Sequence, residues 1–219
     1  MIDFVLHFDQ HLTAFVQNYG TFTYAILFAI IFAETGLVVT PFLPGDSLLF
    51  AAGALAATGA LSMELLVPVL IVAAIVGDAV NYYVGRRIAH TFLDDAPDTG
   101  WMYRVVKREH VIQAHEFFER HGGKAVVLAR FVPIVRTFVP FVAGGAKMTY
   151  RTFAFYNVTG AILWVGLCTI AGYLFGNIPV VKENFELVVL GIIAVSLIPL
   201  VFEIIKARKS AKASKEKIA

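Results

Sequence analysis

Residues 129–144 read A-R-F-V-P-I-V-R-T-F-V-P-F-V-A-G, so that Arg130 and Arg136 share an otherwise apolar run with Pro133 and Pro140. An ionised side chain at hydrocarbon depth costs about 2.5–3.5 kcal/mol on insertion scales, which is why such residues face a cavity or a partner rather than lipid. Each proline also removes a backbone donor, and broken backbone at that depth survives only where protein or water satisfies the freed groups. The run therefore predicts a re-entrant, broken-helix hairpin lining a polar cavity. Two fixed cations in such a cavity invite an anion.

Composition supports the membrane setting. The chain has 219 residues, 58% hydrophobic and 16% charged, with mean hydropathy +0.75, outside the range of soluble domains. All 18 Lys and Arg residues lie from Arg86 onward. The single cysteine, Cys168, falls in an expected span and leaves no internal disulfide or thiolate metal site.

Residues 1–20 carry Phe4, Val5, Phe8, Leu12, Phe15, Val16 and Tyr19 at roughly helical spacing among polar residues, which predicts an interfacial amphipathic helix rather than a signal peptide. The membrane domain is expected over residues 21–205. Within it, 21–39 is apolar enough to span and holds Glu34, and Pro41, Pro44 and Gly45 then break the chain before Asp46. A first re-entrant hairpin is expected at about 36–60, and the second, carrying the arginines, at about 125–148. Full spans are expected at 65–85, 151–176 and 186–205. Residues 86–124 form the one extended polar loop, helical from 103 to 121, and 206–219 is a basic tail suited to an anionic membrane surface. The positive-inside rule puts that loop, the tail and both termini in the cytoplasm, with the hairpins entering from opposite faces.

An internal echo joins the halves. A-A-G-A at 51–54 resembles V-A-G-G-A at 142–146, Y-Y-V-G at 82–85 resembles Y-L-F-G at 173–176, and Gly53/Gly144 and Gly85/Gly176 share the offset of 91. The expected architecture is thus an all-α integral membrane protein. It is an inverted repeat of two re-entrant broken-helix hairpins, with about three full transmembrane helices and an amphipathic N-terminal helix.

Arg130 and Arg136 would face different sides of a continuous helix, whereas a break at Pro133 lets both reach one site. A guanidinium offers forked donors that match phosphate or carboxylate. The plainer alternative is that each arginine only pairs Glu34, Asp46 or Asp78 to hold the hairpins together. Glu34 and Asp46 are acids beside a break in an apolar run, where protonation is easily perturbed; Asp46 could equally cap the arm starting at Ser47. Asp78 and Asn81, one turn apart, are supporting candidates that could simply bond each other or a hairpin carbonyl. H-E-F-F-E-R-H at 115–121 lacks the H-E-x-x-H spacing and a third ligand, so it reads as a solvated charged face and no metal or cofactor is expected.

E-T-G-L-V-V-T-P-F-L-P-G-D-S-L-L-F-A-A-G-A-L-A at 34–56, with A-R-F-V-P-I-V-R-T-F-V-P-F-V-A-G-G-A-K-M at 129–148, resembles the bacterial DedA family. The likeness covers most of the chain. It implies an inner-membrane protein of two facing re-entrant hairpins, related to eukaryotic lipid scramblases. Members are implicated in returning undecaprenyl phosphate across the membrane, in maintaining proton motive force, and in drug or alkaline tolerance. The family's functional acids and arginines match Glu34, Asp46, Arg130 and Arg136.

The expected function is transport of an anionic lipid phosphate, undecaprenyl phosphate or a phospholipid, between leaflets. Arg130 and Arg136 would bind it and Glu34 and Asp46 would couple it to protons. The alternative is a proton-coupled small-molecule or cation exchanger in which the acids are primary. A lipid-phosphate phosphatase would need a nucleophile and an acid, typically histidines, yet the six histidines, at 7, 11, 90, 110, 115 and 121, all lie outside the expected spans. No enzymatic activity and no nucleic acid are therefore expected. The expected partners are the lipid, protons and the membrane, with a second copy of the chain as a candidate.

Overall fold

The computed structural model describes residues 8–37, 45–88, 108–183 and 191, and all regular structure among them is helical. Helix α1 is Phe8–Gly36, α2 is Gly45–Ala57 and α3 is Met63–Ile88. Helix α4 is Arg108–His121, α5 is Ala125–Leu128, α6 is Pro133–Gly145, α7 is Tyr150–Gly176 and α8 is Pro179–Glu183. Two of them, α3 and α7, are long and apolar enough to cross a membrane. They coincide with the spans expected at 65–85 and 151–176. The span expected at 186–205, the tail at 206–219, residues 1–7 and most of the polar loop before α4 lie outside the described residues.

From Phe8 to Gly36 the helical backbone of α1 is continuous, so residues 8–20 of the expected interfacial segment run straight into the span expected from residue 21. No proline or glycine pair interrupts that stretch, and the polar residues that suggested a boundary sit between apolar ones at helical spacing. In the segment that carries the arginines the backbone breaks at Val132, as expected next to Pro133. Two short 3-10 turns, Gly122–Lys124 and Ala129–Phe131, flank α5, and Val132 is then extended (φ −118°, ψ 107°) before Pro133 opens α6. A residue before proline is pushed out of the helical region, and proline is well placed in the first turn of the next helix. Pro140, by contrast, lies inside α6 without ending it. It removes one hydrogen bond from a helix whose neighbouring Phe138, Val139, Phe141 and Val142 are fully packed.

The packing is crosswise. Helix α2, which follows the first break, lies along α7, and α6, which follows the second break, lies along α3. Glycines make both approaches close. A Cβ at Gly53 would overlap the Thr169 carbonyl, and one at Gly172 the Phe50 carbonyl. On the other side, a Cβ at Gly85 would overlap the Phe141 carbonyl, and one at Gly144 the Tyr82 carbonyl. With no hydrophobic drive between helices in lipid, such small-residue contacts supply the packing. Helix α1 crosses α3 in the same way, where Gly36 meets Gly77.

Turns lock the arms. Gly59, at φ 84°, ends α2, and Ser62 N donates to the Tyr24 hydroxyl at 2.7 Å. At the far side Lys147 adopts φ 57°, and the Tyr82 hydroxyl donates to the Met148 carbonyl in the same turn. Two apolar clusters result. One gathers Leu27, Ile31, Leu49, Leu66, Leu70 and Trp164, the other Tyr82, Val111, Phe138, Val142 and Phe153. The buried polar residues lie between them, since Asp78 and Asn81 separate Ala74 from Tyr82 along α3, and Asn157 separates Phe153 from Ala161 along α7.

Candidate functional site

Glu34 occupies the last turn of α1, where Thr35 folds its hydroxyl back onto the Ile31 carbonyl at 2.9 Å. Gly45 opens α2 against it, and a Cβ there would collide with the Glu34 carboxylate. That close approach is why glycine precedes Asp46. From the second segment, the extended Val132 turns the chain between Arg130 and Arg136, so the two side chains reach one pocket from either side of the break.

The arginines have separate partners. Arg130 donates through Nη2 to Asp78 and to Asn157 Oδ1 (2.7 Å). The Asn157 amide is fixed in turn by donating to the Ile75 carbonyl at 3.1 Å. Arg136 donates through Nη2 to Glu34 and through Nη1 to Asp46 Oδ1 at 2.7 Å. Both guanidiniums stand over the indole of Trp164, with centroid distances of 5.6 Å for Arg130 and 5.4 Å for Arg136. The indole N–H donates to Asp46 Oδ1 at 2.6 Å. Asn81 joins the two broken segments, with its amide donating to the carbonyls of Thr35 (3.2 Å) and Thr137 (2.7 Å).

Exposure differs within this cluster. Arg130 and Asp78 are both 5% exposed, while Arg136 is 11% and Asp46 54% exposed. The cavity is lined by Glu34, Thr35, Asp78, Arg130, Arg136, Thr137 and Trp164, and its ≈ 10 Å³ has room for about one water. Arg130 Nε and Thr137 Oγ1 are buried on its lining without a hydrogen-bond partner among the described residues. Three carboxylates thus face two guanidiniums, with Glu34 and Asp78 buried and Asp46 open to solvent on one side. Such a cluster has the chemistry to exchange one anion for another or to take up protons.

All six residues singled out from the sequence, Glu34, Asp46, Asp78, Asn81, Arg130 and Arg136, converge on this cluster. Asp78 is the ionic partner of Arg130 rather than a local bond to Asn81, and Asn81 bridges α1 and α6. Asn157 and Trp164 were not legible as site residues. Each is a single amphipathic side chain within α7, and a lone Trp or Asn in a span carries no spacing signal of its own. Of the 115–121 stretch, His121 is occupied within its own helix, Nδ1 lying 2.9 Å from the Phe117 carbonyl.

Comparison with known proteins places this geometry in a lineage. The VTT domain matches residues 43–174, which takes in Asp46, Asp78, Arg130, Arg136, Asn157 and Trp164. Protein DedA of Escherichia coli K12 is 55% identical over 213 residues, 96% of this chain and 95% of the relative. An uncharacterized membrane protein of Mycobacterium leprae is 43% identical over 183 residues, 82% of this chain and 80% of its own length. The inner membrane protein YghB of Escherichia coli K12 is 36% identical over 182 residues, covering 83% of this chain and 78% of that protein. No solved structure matches the chain. With the VTT domain spanning more than half its length and a relative identical at over half its positions, the chain belongs to the DedA family of VTT-domain membrane proteins.

Proposed function

We propose that this protein carries an anionic lipid phosphate, undecaprenyl phosphate or a phospholipid, between the leaflets of the bacterial inner membrane in exchange with protons. The observation that carries the proposal is Arg136, shared by Glu34 and Asp46 where the two broken segments meet. A phosphate presents acceptor oxygens to the same forked donors that the carboxylates occupy, so it competes for them directly. Buried ionisable residues in a membrane protein mark such pathways. The cavity holds about one water, so in this reading it is the closed state, and Arg136 must part from an acid before a headgroup enters.

The crosswise packing of α2 on α7 and α6 on α3 supports reading the halves as an inverted repeat with re-entrant hairpins, both termini cytoplasmic. Alternating access would then rock one half against the other around the ionic cluster. The excess of acids over arginines in that cluster favours a second reading, a proton-coupled small-molecule or cation exchanger.

Liposomes containing only this protein decide between them. Protein-dependent movement of a fluorescent or isotopically labelled polyprenyl phosphate between leaflets supports the first reading. Proton-linked cation flux without lipid movement supports the second.

A further inference from the structure

We propose that Trp164 is the positioning residue of this site, its ring holding both guanidiniums and its N–H retaining Asp46 when Arg136 changes partner. The inference rests on the reading of the cluster as an anion-exchange site.

Trp164 is 2% exposed, at the centre of α7 between the two arginines and the first broken segment. Arg130 and Arg136 carry like charge on one cavity and are only 5% and 11% exposed, which costs energy unless something shared offsets it. The negative face of an indole does so without a charge of its own, and tryptophan is the ring most effective at it. Arginine is the cation best shaped to stack there. Both guanidinium carbons lie within 5.6 Å of the Trp164 centroid, inside the range at which this attraction operates.

The indole nitrogen adds a second constraint. It is a donor only, and it is spent on Asp46 Oδ1 at 2.6 Å, the oxygen that also accepts from Arg136 Nη1 at 2.7 Å. Asp46 is the most exposed of the three acids and so the readiest to leave Arg136. An anion that displaces it leaves the Trp164 bond in place. The carboxylate therefore waits beside its former partner instead of escaping to solvent, and recloses the site when the anion departs.

The test uses the full-length chain with Trp101→Phe, which leaves Trp164 as the single indole. Its emission is compared with that of the same chain carrying Arg136→Gln or Asp46→Asn, in phosphatidylcholine vesicles. Emission that shifts in both variants is expected, because each removes a group touching the indole; emission unmoved by either overturns the proposal. In parallel, Trp164→Phe and Trp164→Leu are assayed for movement of a labelled polyprenyl phosphate. Phenylalanine keeps an aromatic face and loses the N–H, so a loss of about tenfold is expected, the scale of one hydrogen bond to a charged group. Leucine loses both and should fall further, and wild-type rates in the leucine variant would also overturn the proposal. If the wild-type chain moves no lipid phosphate while the emission shifts hold, the lipid reading fails and the positioning role of Trp164 stands.

Discussion

Arg130 donates to Asp78, 52 positions earlier on α3, and both side chains are 5% exposed, whereas the Asp46 partner of Arg136 is 54% exposed. The two arginines are therefore not equivalent. Arg130 is clamped between α3 and α7 by Asp78 and Asn157, and Arg136 closes the gap between the broken segments.

The clamp predicts a stability effect. Asp78→Ala leaves a buried guanidinium without its counter-ion, a change that costs about 3–5 kcal/mol. Thermal unfolding of the detergent-solubilised protein should show that loss, with Asp78→Asn milder because an acceptor remains. Replacing both partners, Arg130→Met with Asp78→Leu, should recover much of the stability while abolishing transport. Unaltered melting in Asp78→Ala would mean that the pair contributes nothing to folding.

Arginine identity is a separate matter from charge. Lysine at either position keeps the charge but lacks the planar fork that reaches two acceptors at once. Arg136→Lys should lose most lipid-phosphate transport, about tenfold to a hundredfold for one hydrogen bond to a charged group, and Arg130→Lys should lose activity too, since an ammonium cannot stack as the planar guanidinium does over Trp164. Rates close to wild type in both variants would reduce the arginines to simple counter-charges.

Packing supplies a prediction with its own control. A Cβ at Gly53 would overlap the Thr169 carbonyl, while at Gly166, on the same helix as Thr169, nothing lies within 4 Å. Gly53→Ala should destabilise by about 1–3 kcal/mol through overpacking. Gly166→Ala should be neutral or stabilising by up to about 1 kcal/mol, because alanine is the better helix former. Equal melting temperatures for the two variants would contradict the close approach of α2 to α7.

Why these features were or were not readable from the sequence follows from the residues themselves. Arg130, Arg136, Glu34 and Asp46 were legible because charge inside an apolar run is costly and therefore purposeful, and V-P at 132–133 announces its own break. The two spans α3 and α7 announced themselves by length and apolarity. Which acid meets which arginine was not legible. The Arg130–Asp78 pair depends on how α6 lies along α3, a tertiary relation set by Gly85 and Gly144 that no local pattern encodes.

Topology can be read chemically. In a Cys168→Ala background, single cysteines at Leu43 and Val135 should react with membrane-impermeant reagents from the periplasmic and cytoplasmic sides respectively. Labelling of both from one side would remove the inverted-repeat reading and leave the ionic cluster to be explained by another topology.

Under the proposed exchange, the sharing of Arg136 supplies a route for proton coupling. In the structure Arg136 Nη2 and Nη1 are held by the carboxylates of Glu34 and Asp46, and ionised carboxylates hold them best. A proton placed on either acid weakens that hold and frees donors for a phosphate. An arriving phosphate, by taking the donors, leaves an acid without its counter-ion and favours proton uptake. Protonation and phosphate binding therefore promote each other, and reciprocity requires equal coupling in both directions. Affinity for a lipid phosphate should rise as pH falls and level off at low pH. Glu34→Gln with Asp46→Asn removes the titrating groups but leaves Arg136 in place. The double variant should bind with little dependence on pH, at an affinity nearer the low-pH wild-type value because neutral amides compete poorly for a guanidinium. Binding of a polyprenyl phosphate measured against pH for both proteins checks this, and a pH profile that survives the double substitution would move the coupling away from these two acids to Asp78, the remaining carboxylate of the cluster.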